Sequence, residues 1–108
     1  MADIPTHPTL PELQSYMDKI CNERGWTKDS YAEKFLLFTE EVGELAKAIR
    51  KTQGLYQEKA KAPHKQGGLE EEFADVLSYL LDLANAFHVD LETAFREKER
   101  VNATRTWE

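Results

Sequence analysis

Apolar residues recur at three- and four-residue steps in four stretches of the chain, and between these stretches the periodicity lapses. Leu10, Leu13, Tyr16, Met17 and Ile20 make the first row, the spacing of one face of an α-helix. Thr9-Leu10-Pro11-Glu12 has the capping-box spacing, with proline near the first turn, so this helix is expected to end near Gly25. Ser30-Tyr31-Ala32-Glu33 repeats the capping pattern, and Phe35, Phe38, Val42, Leu45 and Ile49 then predict a second helix to about Lys51. A third starts near Leu69, carries Phe73, Val76, Leu77, Leu80, Ala84 and Phe87 on its core side, and should stop around His88. Its first turns hold Glu70, Glu71 and Glu72, which suit the positive helix end. Asp90 is the expected N-cap of a fourth helix through Leu91, Ala94, Phe95 and Lys98 toward Asn102. No segment alternates as a strand would. The expected fold class is therefore all-α, a bundle of these four helices in one domain spanning residues 1–108. Residues 1–8 are expected to be a flexible N-terminus. Residues 52–68, with Gly54, Pro63, Gly67, Gly68 and several lysines, are expected to be a mobile loop.

Length and charge narrow the function. A chain of 108 residues can build a single core, yet pairing with another copy would let it bury more apolar surface. Twenty Asp and Glu against fourteen Lys and Arg leave a net charge of −6, which argues against a broad surface for duplex nucleic acid. A small anion bridged by metal remains allowed. Cys21 is the only cysteine, so an intrachain disulfide and a zinc ribbon are excluded and a free thiol is expected. The sequence holds no uninterrupted apolar run of membrane-spanning length. A soluble, cytoplasmic protein is the expectation.

The strongest chemical signal is acidic. Glu40-Glu41-Val42-Gly43-Glu44 lies on the second helix and Glu72-Phe73-Ala74-Asp75 on the third. Residues three apart on a helix are separated by about 60°, so each pattern offers two carboxylates on one face. Leu37, Glu41, Glu44 and Ala48 form a row beside the apolar stripe, and Glu72, Asp75 and Tyr79 form the matching row. Glu41, Glu44, Glu72 and Asp75 would be costly to hold together unless a cation neutralised them. Two packed helices with this pattern supply the oxygen shell preferred by Mg²⁺, with Mn²⁺ as a substitute, for one ion or two. The bland reading is that these acids are solvated faces of charged helices. A di-iron bundle would need Glu-x-x-His, and His7, His64 and His88 follow Ile4, Lys61 and Asn85 by three residues instead.

Three motifs together carry a family resemblance. Glu40-Glu41-Val42-Gly43-Glu44-Leu45-Ala46, Glu72-Phe73-Ala74-Asp75-Val76-Leu77 and the tail Lys98-Glu99-Arg100-Val101-Asn102-Ala103-Thr104-Arg105 resemble the signatures of MazG-like nucleotide pyrophosphohydrolases. The chain looks especially similar to the dCTP-pyrophosphatase-like branch of that all-α superfamily, from about Trp26 to Trp107. The resemblance implies a MazG-like bundle assembled as a homodimer or homotetramer. It also implies Mg²⁺-dependent hydrolysis of a nucleoside triphosphate, such as the deoxynucleotide dCTP, to the monophosphate and pyrophosphate, as in nucleotide pool sanitation.

Carried over by motif position, Glu41, Glu44, Glu72 and Asp75 would ligate the metal and Glu40 would be a supporting acid or water-orienting base. Lys98, Asn102 and Arg105, at four- and three-residue steps, would face one way and meet phosphate oxygens. Tyr79 would touch sugar or base, and Trp26 would stack on the base. Lys34 and Lys47 would approach phosphate, while Trp107 is expected to be a dimer or core-edge contact. Two other readings stay open: a non-catalytic helical module that binds nucleotide or protein around a structural metal, and a purely structural helical subunit.

Overall fold

The computed structural model describes residues 2–27, 29–54 and 68–107. Four α-helices follow one another: α1 (Leu10–Arg24), α2 (Tyr31–Thr52), α3 (Leu69–Ala86) and α4 (Leu91–Ala103). Among the described residues there is no strand, so the fold is all-α. Most of the expected loop lies outside the described residues. No described helix is long and apolar enough to cross a membrane.

The helix boundaries follow from local chemistry. Thr9 and Glu12 close a reciprocal capping box, the Glu12 N–H donating to Thr9 Oγ1 at 3.3 Å and the Thr9 N–H to Glu12 Oε1 at 3.0 Å. Gly25 ends α1 in the left-handed conformation, φ 71°, which lets the Trp26 N–H return to the Cys21 carbonyl at 2.8 Å. Ser30 and Asp90 cap α2 and α4 by accepting from the N–H groups of Glu33 and Thr93.

The described residues fall into two compact units, residues 1–28 with 81–108 and residues 29–80, α3 contributing to both. In the first, Met17, Ile20, Cys21 and Leu81 form the buried core, with Ala2, Leu13, Tyr16 and Leu91 packed around it. Cys21 is a buried thiol whose Sγ donates to Asp82 Oδ1 at 3.5 Å. The Ala2 N–H, inside the segment expected to be flexible, donates to Glu23 Oε1 at 2.9 Å. Gln14 is also buried and ties α1 to the α3–α4 turn. Its Nε2 donates to Asn85 Oδ1 and the Val89 carbonyl, and its Oε1 accepts from the Leu91 N–H.

The second unit corrects the expected core. Phe35, Val42 and Ile49 of α2 and Phe73, Leu77 and Leu80 of α3 were assigned to it by periodicity, and all six are exposed, Phe35 at 55% and Phe73 at 54%. The less exposed row of α2 is Lys34, Leu37, Phe38, Glu41, Glu44, Leu45 and Ala48, and on α3 it includes Glu72, Val76 and Tyr79. Each helix thus has an inner face that carries acids and an apolar face left open. Periodicity finds the apolar face but cannot say which neighbour covers it. On α4, Phe95 is exposed at 68% for the same reason.

Candidate metal centre

Glu41 sits mid-way along α2, and Glu72 and Asp75 lie in the first turns of α3. One carboxylate oxygen from each of the three lies within 4.8 Å of the others. Glu72 is buried, and its Oε2 has no hydrogen-bond partner among the described residues. A buried carboxylate oxygen without a donor is expensive, and a cation is the partner that would relieve it.

The electrostatics point the same way. Burial first, then the charges of Asp75, Glu72, Glu44 and Glu40, push the Glu41 carboxyl above its ordinary range. Glu72 is raised as well, by burial and then by Asp75, Glu44 and Glu71. Each acid makes ionisation of the next harder, and a divalent ion would reverse this. Three carboxylates converging on one point form a hard, all-oxygen donor set, which fits Mg²⁺ or Mn²⁺ and lacks the nitrogen and sulfur ligands that zinc favours.

Glu44 stands at the edge of this group. Its charge is felt by Glu41 and Glu72, but its oxygen is outside the 4.8 Å cluster and lies 3.7 Å from Lys47 Nζ. Glu40 is exposed, one residue before Glu41. The Tyr79 hydroxyl is held above its ordinary pKa by burial and then by Glu41, Asp75, Glu40 and Asp29, so it remains a protonated donor beside the acids. Lys34, expected to approach phosphate, is buried in α2.

A cleft of about 360 Å³ opens beside the acids, lined by Glu44, Lys47, Ala48, Lys51, Thr52, Gly68, Leu69 and Glu72. Lys51 was not singled out from the sequence. Its only signal there was the four-residue step from Lys47, and one turn of helix with two lysines is ordinary.

The remaining expected residues belong to the other compact unit. Trp26 is exposed, with Arg24 over its ring at 4.9 Å. Lys98 and Asn102 lie on α4, whereas Arg105 lies beyond the helix end. The expected common face therefore stops at Asn102. Arg105 is placed by the tail, its N–H on the Asn102 carbonyl at 3.1 Å and its guanidinium 4.6 Å from the centre of the Trp107 ring. Trp107 is exposed at 66% and is no core-edge contact within the chain.

The family model of the MazG nucleotide pyrophosphohydrolase domain matches residues 30–102, which include all four candidate metal ligands. The chain belongs to the MazG family. It is 35% identical over 100 residues to dCTP pyrophosphatase 1 of Homo sapiens, covering 91% of this chain and 59% of that protein. The chain thus spans less than two thirds of the length of that relative. Among solved MazG-like structures, YPJD from Bacillus subtilis superposes with a TM-score of 0.75 at 29% identity, covering 98% of this chain and all of that one. The iMazG protein from Vibrio DAT 722 superposes at 0.63 with 32% identity, covering 90% of this chain.

Proposed function

We propose that this MazG domain hydrolyses a nucleoside triphosphate to the monophosphate and pyrophosphate with Mg²⁺ as cofactor, and that dCTP is its preferred substrate. The observation that carries the reading is the convergence of Glu41, Glu72 and Asp75, with Glu72 Oε2 buried and unpartnered. Similarity to dCTP pyrophosphatase 1 supports the choice of base and sugar.

Glu41, Glu72 and Asp75 would hold the ion, with Glu44 completing the set once its contact with Lys47 yields. When bound, the ion screens the triphosphate charge, polarises the phosphoryl group under attack and lowers the pKa of a coordinated water. Glu40 is exposed and outside the ligand cluster, which leaves its carboxylate to orient the attacking water and take up its proton. The new P–O bond forms on the nucleotide side as the bridging P–O bond breaks, and pyrophosphate leaves with the electron pair. Lys47 and Lys51 line the adjoining cleft and suit the departing phosphates. Tyr79 donates its hydroxyl to sugar or base. Trp26 stacks on the base, and Lys34, Lys98, Asn102 and Arg105 serve the phosphates.

The active form proposed is a homodimer or homotetramer, supported by the apolar faces that one chain leaves open. The deciding experiment incubates the purified protein with each common nucleoside triphosphate and Mg²⁺ and follows pyrophosphate and phosphate separately. Pyrophosphate release, fastest with dCTP and abolished in Glu41→Gln and Glu72→Gln without loss of helicity, is the expected result. Nucleotide binding without pyrophosphate release would instead indicate a binding module, and normal turnover by either variant would remove the metal assignment.

A further inference from the structure

Within the unit formed by residues 29–80, one cleft gathers both signs of charge. Lys47 and Lys51 of α2 line it together with Glu44, Glu72, Gly68 and Leu69. Glu44, Lys47 and Lys51 follow one another at steps of three and four residues, so they share a face of α2. The two lysines are held differently. Lys47 Nζ lies 3.7 Å from Glu44 Oε1, whereas Lys51 has no ion-pair partner among the described residues. On the α3 wall, buried Glu72 keeps an unpartnered Oε2 and belongs to the cluster with Glu41 and Asp75.

Glu44 thus stands between two cations. Paired with Lys47 it is half of an ion pair, and beside Glu41, Glu72 and Asp75 it is a further ligand for a divalent ion. Its single negative charge cannot serve both fully. The pair with Lys47 is open to water, the Glu44 side chain 40% exposed and that of Lys47 53%, so breaking it costs little. A released lysine ammonium is a mobile point charge suited to phosphate oxygens. Lys51 already offers a second such charge in the same cleft.

We infer that Lys47 is exchanged between two partners, Glu44 in the metal-free protein and a diphosphate group in the metal-loaded one, so that metal and diphosphate each favour binding of the other. The inference rests on the nucleotide-hydrolase reading above and adds a regulation of the same site. Giving Glu44 to the ion frees Lys47 for the leaving pyrophosphate. Linkage makes the effect reciprocal, and a diphosphate that takes Lys47 leaves Glu44 free for the ion.

The test is a pair of binding cycles on the full chain without nucleotide. In the first, Mn²⁺ alone is titrated and its free form is followed by electron paramagnetic resonance. Lys47→Met should tighten Mn²⁺ binding about three-fold, the size set by an exposed ion pair, and Lys47→Arg should leave it as in the wild type. In a Glu44→Gln background, Lys47→Met should change nothing. In the second cycle, inorganic pyrophosphate is titrated calorimetrically in EDTA. Glu44→Gln should tighten pyrophosphate binding about three-fold, and the gain should vanish when Lys47→Met is added. Tightening of Mn²⁺ that persists in the Glu44→Gln background, or a pyrophosphate gain that is absent or survives without Lys47, overturns the exchange. If Glu41→Gln abolishes Mn²⁺ binding while Lys47→Met leaves it unchanged, the exchange is overturned and the hydrolase reading stands. If Glu41→Gln leaves Mn²⁺ binding intact, the metal assignment has failed and the inference falls with it.

Discussion

Gln14 shows how one polar side chain can govern the packing of three elements. At 7% exposure it has exchanged water for the Asn85 side chain, the Val89 carbonyl and the Leu91 N–H, and Asn85 Nδ2 returns a bond to the Gln14 carbonyl at 2.8 Å. Leucine would fit the volume but leave these groups short of partners in a partly buried site. Gln14→Leu should therefore cost about 2 kcal/mol, read as a lower urea midpoint at unchanged slope. A change below about 0.5 kcal/mol would mean that water replaces the side chain without loss. Glu41 and Glu72 give a pH signature of definite sign. Both carboxyls are raised in the folded protein, so in EDTA their contribution to stability is full below the ordinary glutamate pKa of 4.5 and is lost as pH rises through the raised values. Melting curves from pH 7 down to pH 4.5 should show the wild type gaining on Glu41→Gln/Glu72→Gln. A constant gap between the two proteins would mean that these acids do not repel.

At the level of elements, helix starts were readable because a cap is a local event. Thr9 with Glu12, Ser30 with Glu33, and Asp90 each meet a backbone N–H three residues on, whatever packs outside. Helix ends were less regular. α3 ends through His88, a non-glycine residue at φ 57°, which lets the Val89 N–H reach the Ala84 carbonyl at 2.9 Å. A side chain in the left-handed region is strained by about 1–2 kcal/mol, and glycine gives back part of that in unfolded-state entropy. His88→Gly should thus stabilise the fold by on the order of 0.5 kcal/mol, raising the melting temperature by a few degrees. A lower melting temperature would show that the imidazole makes contacts that outweigh the strain. The helical phase also misplaced Arg105. Counting from Lys98 and Asn102 assumes that α4 continues, but it ends at Ala103, and the tail turns back under Trp107 instead.

For the whole molecule, the dominant fact is how little one chain covers. Among the described residues the buried apolar ones are Met17, Ile20, Cys21, Leu81 and Ala84, while Phe35, Leu36, Val42, Ile49, Phe73, Leu77 and Leu80 are exposed. Apolar surface is worth about 25 cal/mol per Å², so several open aromatic and aliphatic side chains give a second copy a strong incentive to bind. Sedimentation equilibrium should show a dimer or tetramer at micromolar concentration. The double variant Phe35→Lys/Phe73→Lys should shift it toward monomer and lower its melting temperature. A wild type that stays monomeric would show that these faces are tolerated in water.

The sequence by itself determined the four helices, their caps and the acidic motifs, because each depends on residues within about four positions of one another. It also marked Glu41, Glu72 and Asp75 as residues that share helical faces. Only the tertiary structure decided that the acid row of α2 is the inner one and that Phe35, Val42 and Ile49 turn outward. It alone set Glu44 at the edge of the cluster, beside Lys47, and brought Lys51 to the wall of the same cleft as Glu72. The division has a physical origin. Backbone hydrogen bonding and side-chain period are properties of one segment, whereas burial, the orphaned oxygen of Glu72 and the charge felt by Glu41 belong to groups far apart in sequence. Those groups acquire their energies only when the helices meet.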